Sequence, residues 1–168
     1  MPEGNLNRLR KLVGQHEHLV YGAVKAGGIG HLSGESLSLA EAIQDHANLR
    51  HIHNALEYSD VREGQPYEIQ YQGDTVNPLM HVYSHAAVKE SVTHNEGASS
   101  AFAKLLSEGI SRHHAEHILS MFLLEAEWHA AHGGDEEGFQ NSLQKICASR
   151  KFRRKWIEKT SGAHPWAE

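Results

Sequence analysis

The sequence predicts an all-α fold, a bundle of five or more helices around a four-helix core. Apolar residues recur at spacings of three and four through several long segments, the period of a helix face. Glycine- and proline-bearing stretches separate those segments. Only Tyr67 to Tyr71 alternates, enough for one short extended piece.

Residues 5 to 26 read as a first helix, with Leu6, Leu9, Leu12, Val13, Leu19, Val20 and Ala23 as its stripe and His16 within it. Gly27-Gly28-Ile29-Gly30 ends it. No strand precedes this G-G-x-G, so it is not a dinucleotide fingerprint. A second helix spans 37 to 58, with Ser36 or Ser38 and Glu41 resembling a capping box and a break expected near Ala47-Asn48. The connector 59 to 77 holds Gly64, Pro66 and Gly73, and Asn77-Pro78 opens a third helix as cap and first residue. That helix runs to about Thr93. A polar turn leads to a short helix from about Ser99 to Glu108, stopped by Gly109. Ser111 caps a long helix, 112 to 132, and another follows from about Asp135 to Cys147. The expected organisation is one helical domain, 1–148, followed by a basic helix or tail, 149–168, in which Trp156 packs down.

The composition is that of a soluble globular chain: 39% hydrophobic, 22% charged, net charge −5 with histidine neutral. Nothing in this balance calls for nucleic acid. No apolar run approaches the ~20 residues of a membrane span, and Met1-Pro2-Glu3-Gly4 has no signal-peptide character. The single cysteine, Cys147, excludes an internal disulfide and a zinc ribbon. A reducing cytoplasm is the expected compartment. H-E-x-x-H, Glu-x-x-His, P-loop and G-x-S-x-G patterns are all absent.

Histidine is the outlier, at fifteen of 168 residues. His81 and His85 form one H-x3-H, His113 and His117 a second, and His53 with Glu57 an H-x3-E. Residues four apart share a helix face, and imidazole is the commonest metal ligand, so paired histidines on successive helices are how a bundle builds a metal site. In the 112–132 helix, His113 and His117 lie among Ile110, Met121, Leu124, Trp128 and Ala131. Two buried imidazoles need partners, which a metal or core hydrogen bonds would supply. His81 and His85 lie near Val88 and Val92 but also near Ser84 and Lys89, so that face reads equally as solvated. Glu90 falls on the apolar side of its helix and calls for a partner, a histidine among the candidates. His18, His31, His51, His94, His114, His129, His132 and His164 are expected mostly at the surface.

The order His16, His53-x3-Glu57, His81-x3-His85, then a later histidine resembles the hemerythrin pattern of a dinuclear non-haem iron bundle. It departs from that pattern at its end, where no aspartate follows His113 by five residues. A second resemblance rests on wording. Asn77-Pro78-Leu79-Met80-His81-Val82-Tyr83-Ser84-His85 with the later Glu90, then His113, His117, Glu125 and Trp128, and the earlier His53, are similar to an uncharacterised family of small bacterial proteins, a domain of unknown function, over about residues 37 to 147. That resemblance implies that His53, His81, His85, His113 and His117 belong together, with Glu90 and Glu125 as nearby carboxylates.

The reading is a metal-binding bundle whose ligands come from His53, Glu57, His81, His85, His113, His117 and Glu125, holding one or two ions, iron ahead of zinc or manganese. An open coordination position would take oxygen, water or a small molecule, and an enzyme on this plan would be a metal-dependent oxidase or hydrolase. A homo-oligomer is compatible with the sequence. The alternative is an interaction module without metal, its histidines structural or pH-sensing.

Overall fold

A computed structural model describes residues 17–47, 50–57, 68–71, 74–133 and 138–161. His16, most of the first predicted helix, residues 58–67 and His164 lie outside the described residues. The fold is all-α. Among the described residues the only sheet is a hairpin of β1 (Ile69–Tyr71) and β2 (Asp74–Val76), antiparallel with Gln70 opposite Thr75. The alternation of Tyr67 to Tyr71 anticipates an extended piece at β1; the return strand β2 falls in the stretch read as connector.

Helix α1 (Glu17–Lys25) ends as its glycines require. Gly27 sits at φ 70, and the Gly28 N–H reaches back to the Ala23 carbonyl while the Gly27 N–H bonds that of Val24. This closing motif satisfies carbonyls that a helix end leaves open. A single 3₁₀ turn, Ile29–His31, follows. Helix α2 (Gly34–Asp45) starts earlier than expected: Ser33 is the extended residue before it, and no side chain caps it. Ser38 is buried inside the helix, so the anticipated capping box is not formed. The break near Ala47 occurs where expected, and α3 (Arg50–Glu57) resumes beyond it.

Helix α4 (Pro78–His94) is capped as predicted, the Asn77 carboxamide oxygen accepting from the N–H groups of Leu79 and Met80. Helix α5 (Glu96–Leu106) begins three residues before Ser99 because Asn95 caps it, accepting from Ala98 N–H. Gly109, at φ 85, follows it. Helices α6 (Arg112–Ala131), α7 (Gly138–Ala148) and α8 (Arg150–Thr160) complete the chain, with Ser111 and Ser149 as caps of α6 and α8. None of the described helices is long and apolar enough to cross a membrane.

The chain divides into two compact units, Met1–Ala87 and Val88–Glu168, the division falling inside α4. In the first unit α1 packs on α2 and α3, and Val20, Tyr21, Leu39, Ile43, Ile52 and Leu56 are buried. In the second, four helices pack together: α5 and α6 on each other and on α7, and α8 on α6 and α7. Its core holds Phe102, Leu105, Ile118, Leu119, Phe122, Leu143 and Ile146. The basic segment is part of this packing. Trp156 meets the Phe122 ring edge-on at 4.6 Å. The buried Arg153 guanidinium bonds the Ile146 carbonyl at 2.7 Å and the Glu108 carboxylate at 3.0 Å.

Candidate functional site

Each unit contains its own group of close imidazoles. In the first, α2 ends at His46 and the opening turns of α4 carry His81 and His85. All three are buried. Their rings form a triangle, with centroids 4.7 Å apart for His46–His81 and His46–His85 and 4.9 Å for His81–His85. The Nε2 atoms of His46 and His81 approach to 2.8 Å.

The protonation of His46 follows from its other nitrogen. Its Nδ1 lies 2.6 Å from the Ala42 carbonyl oxygen, an acceptor only, so Nδ1 carries the proton and donates. In the neutral ring the Nε2 lone pair then points at His81. A ring whose far nitrogen is tied to a carbonyl is how a metal-ligating histidine is held. Metal–nitrogen bonds of ~2.0–2.1 Å place neighbouring ligand nitrogens about 2.9–3.4 Å apart, a few tenths of an ångström beyond the spacing here. His46 and His81 thus stand near the spacing of two ligands of one ion. The face on which His81 and His85 lie is buried together with Ser84 and Lys89, which removes the solvated reading of that face.

In the second unit His113 and His117 meet one turn apart on α6, as the H-x3-H spacing predicts. Their Nε2 atoms are 2.9 Å apart and the rings are perpendicular, with centroids 4.5 Å apart. His117 is buried and His113 half-buried. A Glu116 oxygen lies within 4.8 Å of a ring nitrogen of His113. Glu116 itself is buried, and its carboxylate accepts from Lys89 Nζ at 3.1 Å and Arg112 Nε at 3.2 Å. His113 and Glu116 belong to a histidine and carboxylate cluster that could take an ion.

The other predicted ligands are placed elsewhere. His53, on α3, lies with its Nδ1 3.3 Å from the Tyr21 hydroxyl, and its buried Nε2 meets no hydrogen-bond partner among the described residues. Glu57 is exposed and bound to Lys25 at 2.8 Å. Burial first, and the Glu57 charge second, push the Tyr21 phenol above its ordinary value. Glu125 is exposed on α6. Glu90 is met by His94 at 3.3 Å, one turn on along α4, a largely exposed histidine. His114, expected at the surface, is half-buried and hydrogen-bonded to Thr160 at 2.6 Å; burial holds its imidazole below the usual histidine value.

Two members of these groups escape a reading of spacing. His46 is seven residues from His53 and on a continuous helix would share its face. It reaches His81 because α2 stops there. The break expected near Ala47 was the available signal. The Lys89–Glu116 pair joins residues 27 apart and leaves no mark in local periodicity.

An all-α fold with buried, closely spaced imidazoles defines the class of this protein. The chain belongs to the family described as Domain of unknown function (DUF1841), whose model matches residues 30–148. The matched span contains both imidazole groups and stops where α8 begins. No curated protein and no solved structure matches the chain.

Proposed function

We propose that the protein is a metal-binding helical protein whose ion is held in the first unit by His46, His81 and His85, and that His113 and His117 form a separate candidate pair within the second unit. The observation that carries this reading is the 2.8 Å approach of two buried imidazole nitrogens, one of them fixed as a lone pair by the bond from Nδ1 to Ala42. Thiolate-free imidazole donors suit iron and zinc, and iron, then zinc or manganese, is the order in which to test them. Three imidazoles leave coordination positions open for water, oxygen or a small molecule. Redox or hydrolytic chemistry would follow from that opening.

The test is elemental analysis of untagged protein purified without nickel. Wild type should carry one or two equivalents of metal. The His81→Ala/His85→Ala variant should lose it, and the His113→Ala/His117→Ala variant shows whether the second unit's pair holds metal of its own. Circular dichroism confirms that each variant folds. Equal metal in wild type and the first variant overturns the reading.

A second reading has its own support, since 2.8 Å is also a hydrogen-bond length for two neutral imidazoles. On that reading the triangle is a structural network in an interaction module. It requires metal-free protein with an unaltered fold in chelator.

A further inference from the structure

Helix α8 carries charge that the rest of the chain does not. Residues 149–161 include six cations (Arg150, Lys151, Arg153, Arg154, Lys155 and Lys159) and one acid, Glu158, for a net of +5. The whole chain is −5, so the remainder is −10. Two of the cations have internal work: Arg153 is buried against Glu108, and Lys159 lies 4.3 Å over the Trp156 ring. Arg150 reaches Glu108 only at 3.7 Å. No hydrogen bond or ion pair holds Lys151, Arg154 or Lys155 among the described residues.

These four exposed cations lie at i, i+1, i+4 and i+5, so Arg150 faces Arg154 and Lys151 faces Lys155 across one turn. Like charges at that spacing destabilise a helix. No acid stands in the first turn of α8, where one would be favourable. The arrangement is unfavourable in the protein alone and becomes favourable against a multiply charged anion. The four cations share one open face of α8 with Ser149, Phe152 and Glu158. Two arginine forks with two lysines match adjacent phosphate groups, which guanidinium binds bidentately.

We propose that this basic face of α8 binds a small polyphosphate anion, two or more linked phosphate groups, independently of any metal. The test is calorimetric titration of the full-length protein with inorganic pyrophosphate at low salt. Binding should be saturable and about one to one, and should weaken as salt is raised. Lys151→Glu/Lys155→Glu should weaken it at least about tenfold, in line with two lost charge-assisted contacts. A Lys104→Glu/Lys145→Glu variant changes net charge equally on exposed residues outside that face and should bind as wild type does. The helix tolerates the first variant, since acids suit its opening turns. No pyrophosphate binding by wild type, or equal weakening in both variants, overturns the proposal. So does binding that survives Lys151→Glu/Lys155→Glu, which would place the anion elsewhere. Binding to a long duplex but not to pyrophosphate overturns it as well, in favour of an extended polyanion surface.

Discussion

Single residues decide whether the buried polar groups are assets or liabilities. The H-x3-H spacings give the meeting of His113 with His117 and the shared face of His81 and His85, because both are consequences of helical period alone. His46 depends on where a helix stops, and Glu116 on a partner 27 residues away, so neither is visible in a local pattern. Lys89 next to His85 even points the wrong way, toward solvent, until its ion pair is seen. That pair gives a test. A buried ion pair contributes little net stability, but removing one member strands the other at a cost of about 3–5 kcal/mol. Glu116→Ala should therefore lower unfolding free energy by about that amount in a denaturant titration, and Glu116→Gln by less, because the amide still accepts hydrogen bonds. Loss below about 1 kcal/mol for the alanine variant would show that the pair is hydrated in solution.

At the scale of elements, the legible features were those with local chemistry. Asn77, Ser111, Gly27 and Gly109 mark helix boundaries because capping oxygens and positive φ act within a few residues. The start of α2 was misplaced because serines at 36 and 38 resemble a cap whether or not the chain uses them. What sequence could not supply is how α8 is fastened. Its Arg153 binds Glu108, just beyond the end of α5, and this bond holds the Glu108 carboxyl below its ordinary value. A carboxyl lowered in the folded state stabilises the protein above its unfolded value, about 4.3, and that contribution is lost as pH falls through the folded value. Wild type should thus lose stability on acidification below about pH 5 more steeply than Glu108→Gln, whose stability is lower at neutral pH and flatter with acid. Parallel curves for the two proteins would mean that the Glu108–Arg153 bond is no stronger folded than unfolded.

For the molecule as a whole, the all-α class followed from period, since apolar residues three and four apart can be buried only by packing helices. Which helices pack was not accessible in this way. Period assigns faces, and the same faces are compatible with many arrangements of α5 to α8. Metal binding, if it occurs as proposed, must appear at this scale as stability, because an ion that binds only the folded chain shifts unfolding by RT ln(1 + [L]/Kd). At a hundredfold excess over Kd this is about 2.7 kcal/mol. For a chain of this size, each kcal/mol moves the melting temperature by roughly 2–4 °C. Metal-loaded wild type should therefore melt roughly 5–10 °C above the chelator-treated protein. In His81→Ala/His85→Ala the gap should close. The comparison separates coordination from a general cost of deleting two buried rings, since that cost lowers both curves of the variant together while coordination controls the distance between them. Identical melting of wild type with and without chelator would leave the imidazole triangle as a hydrogen-bonded core network.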